Sequence, residues 1–192
     1  MKKQVGMKLA ELVGELERLA ESVWLADEPE TASGVSASEL CDLMGSLGIA
    51  IDDMKSRAKV RHDAALEAYW ADKAREFAKT SPEGEHAVRT VDENMAISRA
   101  AVGIDAKLRE FLRLLEAFAL EFFHLVGRLF QSRFEDGDIT FESGDLVSCK
   151  KHAEALKRLA GAIEEFEHGD YAVYDFHAAS IAYSNFLRTG EL

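Results

Sequence analysis

The scarcity of proline is the feature that most restricts how this chain can fold. Only two prolines, Pro29 and Pro82, occur in 192 residues. A proline inside a helix removes a backbone hydrogen bond and clashes with the preceding turn, so long stretches without proline can carry long helices. Most of the chain lacks this restriction, and we predict an all-α fold made of long helices.

Apolar residues recur at steps of three and four along the chain, which is the period of an amphipathic helix. The pattern predicts a first helix from about residue 5 to residue 26, followed by a loop around Pro29. It predicts further helices over four ranges: 37–79, 82–134, 148–168 and 170–188. The range 82–134 is compatible with one helix or with two that are broken near Gly103.

The helices are separated by short connections, which favours neighbours that run in opposite directions. We therefore predict a single all-α domain over residues 1–192, a bundle of five or six helices built on a long antiparallel helical hairpin. In this arrangement the hairpin spans residues 37–134, an acidic connector spans 135–148, and a C-terminal helix pair spans 149–188. The connector is expected to be a short irregular or hairpin-like loop.

Two apolar patterns bear on association. The helix over 37–79 carries a heptad-like stripe, which is typical of a coiled coil and predicts a homodimer through this helix; its members are Leu40, Met44, Leu47, Ile51, Met54 and Ala58. The segment 111–130 holds five phenylalanines and six leucines. Such a helix is typical of the centre of a bundle, and the alternative is that part of it is an oligomer or partner surface.

The formal net charge of the chain is −12. Phosphate binding requires a basic face, so we expect no direct DNA binding and favour a protein partner, in particular a basic or nucleic-acid-binding one.

No window approaches the roughly 18 uncharged apolar residues that span a membrane. Two cysteines do not make a disulfide framework, so we expect a cytoplasmic protein with reduced thiols.

The connector over 135–148 contains five acids and no lysine or arginine. It resembles part of an EF-hand calcium loop, but no register places ligands at the required positions together with glycine at the sixth. We therefore predict no calcium site. The alternatives are a solvated acidic connector and a partner-docking loop, whose binding residues would be Glu135, Asp136, Asp138, Glu142 and Asp145.

Three Glu-x-x-His pairs occur in the sequence, and two such pairs can contribute to a di-metal site in a helical bundle. One pair, Glu121 and His124, lies on the one polar stripe of a very apolar helix. That position favours a solvent-facing, ion-paired stripe over a core site. We accordingly predict no metal ion and no cofactor.

Arg57 and His62 have the Arg-x4-His spacing that resembles the motif of the HEPN family of helical RNases, over six residues. The resemblance implies a metal-independent RNase in which Arg57 holds the scissile phosphate and His62 transfers a proton. Ala58 stands where that family has a polar residue. The alternative is a solvated helix flank with ion pairs Asp53–Arg57 and Lys59–Asp63.

Cys149 lies in the first turn of a predicted helix, beside two lysines and three residues before His152. Such surroundings can lower the pKa of a thiol and make it a nucleophile. A nucleophile also needs an oriented base and a pocket, neither of which the sequence identifies.

These observations favour a non-enzymatic protein–protein interaction module: an adaptor, an inhibitor or a small assembly subunit that presents helical and acidic surfaces. One form of this prediction is an acidic inhibitor that occupies the basic cleft of a nucleic-acid-binding protein. The alternative is a HEPN-like RNase that uses Arg57 and His62.

Overall fold

A computed structural model describes residues 8–25, 35–80, 90–135, 138–143 and 146–168, together with residues 181, 184, 185 and 188. The described residues contain four helices and a small three-stranded sheet. In chain order the elements are α1 Leu9–Leu25, β1 Val35–Ser36, α2 Ala37–Thr80, α3 Val91–Leu129, β2 Phe130–Glu135, β3 Asp138–Ser143 and α4 Leu146–His168. The all-α class is confirmed for this part of the chain. The helix predicted over 170–188 lies mainly outside the described residues.

The helices α1 and α4 pack against each other and run in opposite directions. Near the start of α1 the backbone amide of Ala10 donates a 3.2 Å hydrogen bond to the carboxylate of Glu164, near the end of α4. One turn or more further on, Lys157 pairs with Glu17. The first amides of a helix have no partner within it, so α4 supplies one for α1.

The second and third helices are the longest, at 44 and 39 residues. α2 follows Ser36 directly, and the predicted range 37–79 is confirmed. α3 is one unbroken helix through Gly103, but the range 82–134 is wrong at both ends. The helix starts at Val91 because Thr90 is extended, and it stops at Leu129 because Phe130 is extended and begins β2. Residues 81–89 lie outside the described residues.

Thr90 caps the N-terminus of α3 in a capping box. Its hydroxyl accepts a 3.2 Å hydrogen bond from the amide of Glu93, and the Glu93 carboxylate accepts a 2.8 Å bond from the amide of Thr90. We expect Thr90→Ala to destabilise this helix start by about 0.5–2 kcal/mol. Amide hydrogen exchange over the first turns of α3 should accelerate, whereas Thr90→Ser should leave it close to wild type. Equal exchange in both variants would contradict the role of the cap.

The heptad-like stripe of α2 faces the core of the monomer, which corrects the prediction that this stripe makes a coiled-coil dimer. Leu47 is 1% exposed and Ala58 is 2% exposed, and both belong to one cluster with apolar residues of α1, α3 and α4. From α3 the cluster takes Phe111, Leu114, Leu115, Phe118, Phe122, Leu125 and Leu129. One side of the apolar segment 111–130 therefore lies in the core, as predicted, whereas Leu120 and Phe123 on its other side are exposed. A stripe buried within the monomer is not itself available to a second chain.

The predicted acidic connector is mostly regular structure. β3 pairs antiparallel with β2 on one side and with the two residues of β1 on the other. The alternation of Ile139 and Phe141 with polar residues predicts such a strand, and β3 occupies Asp138–Ser143. The partner strand β2 was assigned to the preceding helix, and α4 already begins at Leu146.

The helices α2 and α3 extend beyond the core as a two-helix arm. Ala58 is the last fully buried core residue of α2 and Phe111 is the first of α3, and the partly buried Ala65, Ile104 and Leu108 pack at the edge of the core. At 1.5 Å per residue, the part of α2 beyond Ala58 is about 30 Å long. The hydroxyl of Tyr69 donates a 2.8 Å hydrogen bond to the carbonyl of Ile97, and His62 contacts Asp105. Later residues of α2 thus meet earlier residues of α3, so the two helices run in opposite directions here.

Candidate functional site

The two residues of the predicted RNase motif are not brought together. They stand five positions apart on a continuous helix, and at about 100° per residue their side chains diverge by roughly 140°. His62 faces α3, where its Nε2 lies 2.7 Å from Asp105 Oδ1 and its Nδ1 lies 3.0 Å from Asp63 Oδ1. Arg57 lies on an exposed flank and pairs with Asp53, as the alternative prediction states. The contacts of His62 are those of a clamp between α2 and α3.

The carboxylates around His62 change its proton affinity. Burial alone would lower the pKa of His62, but the hydrogen bonds and negative charges of Asp63 and Asp105 outweigh burial, and its pKa is raised. The protonated ring can donate to both carboxylates. This clamp joins the arm at the level where the core ends.

A second polar cluster joins α3 to α4. His152 is 7% exposed, and its Nε2 lies 3.1 Å from Glu121 Oε2, close enough for an ion pair although not aligned as a hydrogen bond. His124 Nδ1 lies 3.5 Å from the same oxygen, and Arg128 Nη1 lies 3.5 Å from His152 Nδ1. The Glu121 side chain is only 14% exposed. The prediction of a solvent-facing stripe therefore holds for His124 and is wrong for Glu121.

His152 is the electrostatic opposite of His62. Burial is the largest influence and lowers the pKa of His152; the positive charges of Arg128 and His124 act in the same direction. Glu121 acts in the opposite direction and does not overcome them, so the pKa is lowered. Across the described residues, no group of three or more His, Cys, Asp or Glu side chains is placed to hold a metal ion.

Cys149 does not present a reactive thiol at the surface. Its side chain is 1% exposed and belongs to the apolar core. A nucleophile must reach its substrate, and the core position of this thiol prevents that in the folded state. Cys41, at the start of α2, is the exposed cysteine.

The predicted partner-binding acids cluster along the β2–β3 hairpin. Glu135 and Asp138 are directly opposite each other at the end of the ladder, and Glu142 is opposite Gln131. Asp136 and Asp145 lie outside the described residues.

A charged groove of about 730 Å³ runs between α1 and α4. Ligand pockets are mostly apolar with a few polar groups. The lining here is instead a mixture of charges that pair with one another: Glu11, Glu15, Glu17, Glu21, Glu154, Arg18, Lys150 and Lys157. Pairs within the groove include Arg18 with Glu15 and Lys157 with Glu17. The groove is a salt-bridged seam between two helices.

The largest unexplained feature is the side of α2 and α3 that faces away from α1 and α4. At about 100° per residue, the core stripes of both helices lie on one side and the exposed hydrophobic residues lie on the opposite side. The uncovered face, as we call it, holds eight large hydrophobic residues that are 37% to 69% exposed. They are Ile49, Val60, Trp70, Phe77, Met95, Val102, Leu120 and Phe123, with Val60 at the edge.

The sequence contains a signal for this face. Trp70, Ala74 and Phe77 repeat at helical spacing but in a register shifted from the buried stripe that ends at Ala58. A shift in register rotates the apolar stripe around the helix. The sequence alone shows the shift; the structure shows that it carries the stripe out of the core.

Comparison of the chain with protein-family models, with curated proteins and with solved structures found no match. Of the helices in the described ranges, none combines the length and apolarity needed to cross a bilayer.

Proposed function

We propose that this chain is a non-enzymatic protein–protein interaction module. The observation that carries the proposal is the uncovered face of α2 and α3. The exposed fractions of its eight large side chains amount to about four complete side chains, or roughly 700 Å² at about 150–250 Å² each. Eight of the nine exposed large hydrophobic residues in the described part of the chain lie on this one face, and such a concentration favours a binding surface.

The polar clusters support a binding role over a catalytic one. His62 and His152 each hold two helices together, Cys149 is buried, and Arg57 pairs with its own helix. These groups stabilise the scaffold that presents the uncovered face. An adaptor, an inhibitor and a small assembly subunit are the forms of this function that fit a rigid helical scaffold.

We assign a second surface to the acidic hairpin, with Glu135, Asp136, Asp138, Glu142 and Asp145 as its binding residues. Negative charge concentrated at one edge complements a basic partner, such as the cleft of a nucleic-acid-binding protein. Binding through this surface should weaken as salt rises. The chain would then act as an acidic inhibitor.

We also propose the complete architecture that such a module requires. It is a single cytoplasmic domain over residues 1–192, with five or six helices built on an antiparallel hairpin over 37–134. The opposed directions of α2 and α3 at Tyr69 and Ile97, and the long continuous helices, support this hairpin.

Capture of partners from a lysate of the source cells tests the function. The bait is the tagged full chain, treated with and without nuclease, beside two double variants that add the same charge. The face variant is Ile49→Glu with Leu120→Glu, at side chains 62% and 55% exposed. The control variant is Ala64→Glu with Ala96→Glu, at exposed positions on the other sides of the same helices.

We expect the wild type and the control to retain a stoichiometric protein after nuclease treatment, and the face variant to retain at least about tenfold less. Charge reversal of Asp136, Asp138, Glu142 and Asp145 separates the contribution of the hairpin. RNA that co-purifies with the chain and is lost on nuclease treatment would overturn the proposal and favour the alternative of an RNase that uses Arg57 and His62. Equal capture by all variants would remove the uncovered face from it.

A further inference from the structure

We infer that the uncovered face is occupied by a second copy of this chain, with α2 of one copy packed on α3 of the other. This inference rests on the proposed function and names the partner of that surface. The stripe that the sequence predicts as a dimer seam is buried in the monomer. The dimer surface assigned here is the opposite side of the same helix.

The charges of the uncovered face favour this arrangement. Its α2 side carries Asp52, Asp63 and Glu67 against one Lys59, so it is mainly acidic. Its α3 side is mainly basic because three arginines outnumber two acids; one of the three, Arg113, also pairs with Glu110 of its own helix at 2.8 Å. These α3 residues are Arg99, Arg109, Arg113, Asp105 and Glu116. A twofold axis parallel to the helices places the acidic side of each copy on the basic side of the other.

The same twofold axis also places apolar residues of the two copies at the same position along the helix axes. The contacts of His62 with Asp105 and of Tyr69 with Ile97 fix which levels of α2 and α3 coincide. By that offset Ile49 lies within one turn of the level of Leu120, and Trp70 within one turn of Met95. An axis parallel to the helices keeps these levels, so each of these α2 residues would meet its α3 counterpart on the other copy. Asp52 and Arg113 coincide in the same way.

The area of the face agrees with what a stable dimer needs. A standard interface buries about 800 Å² on each partner, and the large hydrophobic residues of this face supply roughly 700 Å² before their polar neighbours are added. The interface would be formed by four helices in two facing pairs, α2 and α3 from each copy. Because the net charge of −12 makes whole copies repel, association should be measured at about 0.15 M salt, where the Debye length is short.

Sedimentation velocity and light scattering of the purified full chain at micromolar concentration test the inference. We expect the wild type and the Ala64→Glu, Ala96→Glu control to have twice the monomer mass of 21.3 kDa. The Ile49→Glu, Leu120→Glu variant should dimerise at least about 100-fold more weakly, because two acids would face each other at each contact. Circular dichroism and thermal melting confirm that each variant is folded.

A charge exchange tests the arrangement independently of the apolar residues. Asp52→Arg alone and Arg113→Asp alone should each weaken dimerisation by about tenfold, and the combined variant should recover most of that loss. Recovery would not occur if these residues were far apart in the dimer. A dimer that neither the face variant nor either charge variant weakens would overturn this interface.

The outcomes separate this inference from the proposed function. A monomeric wild type that captures another protein through Ile49 and Leu120 overturns the dimer and keeps the interaction function. A monomeric wild type that captures nothing overturns both. A dimer that the face variant dissociates, with the untagged chain as the captured protein, supports both.

Discussion

Replacement of Phe118 by alanine is expected to lower the free energy of unfolding by about 3–5 kcal/mol. Phe118 has no exposed surface, and its ring packs against that of Phe122 with centroids 6.2 Å apart. The substitution removes buried apolar area and leaves a cavity that a core built from four helices cannot close without strain. Chemical denaturation followed by circular dichroism measures the effect.

Phe123 provides the matched control for Phe118, because it lies on the same helix and has the same chemistry. Its side chain is 44% exposed on the uncovered face, so Phe123→Ala should cost less than half as much in a monomeric sample. Similar losses for both substitutions would contradict the assignment of the core to one side of α3. If the chain dimerises, Phe123→Ala should instead reduce association.

The second large effect concerns pH, because the two buried histidines respond to acid in opposite directions. The pKa of His152 is lowered in the folded chain. As pH falls below 6.5, the ordinary value for histidine, the unfolded state takes up the proton before the folded state does. The contribution of His152 to stability therefore decreases below pH 6.5, by at most about 1.4 kcal/mol per pH unit.

His62 has the opposite sign because its pKa is raised in the folded chain. Its stabilising contribution is complete below pH 6.5 and is lost as pH rises through the higher folded value. We expect His152→Gln to gain stability relative to wild type as pH falls, and His62→Gln to lose it. Free energies of unfolding measured from pH 8 to pH 5 check both trends. Parallel curves for the two variants would contradict the assignment.

The fold could be predicted from the sequence where local signals and packing agree. The absence of proline and the three-four period locate α1, α2 and α4 closely. The predicted boundaries of α3 were wrong because the helical periodicity of the sequence continues into residues whose backbone is not helical. At its start the Thr90 capping box begins the helix at Val91 and not at residue 82, where the sequence pattern predicted it. At its end the backbone becomes extended because β2 pairs with β3.

The hairpin shows how a correct local signal can be misread. Asp136-Gly137 is the dipeptide most typical of a two-residue hairpin loop, and β2 and β3 are separated by those two residues. The same residues resemble part of a calcium loop, so one stretch carries two local signals, and the pairing of β2 with β3 decides between them. Phe130 and Phe134 also continue the helical pattern of α3, and only their pairing with β3 distinguishes the two states.

The polar clusters could not be predicted because they depend on which helices are neighbours. Glu121 and His124 lie on one helix, and their spacing is visible in the sequence. His152 belongs to another helix 31 positions after Glu121, and only tertiary packing brings its Nε2 to 3.1 Å. The same is true of His62 and Asp105. Sequence reasoning therefore assigned these residues to motifs along one helix when their roles lie between helices.

The two-helix arm has a mechanical consequence. Beyond Ala58 and Phe111 it is joined to the core at one end only, so it acts as a lever about 30 Å long. A rotation of about 10° at the core end would move the tip by roughly 5 Å. In the inferred dimer each arm lies along the other, and this freedom is removed. Association would then hold the two arms against each other, so that neither could rotate independently of the other.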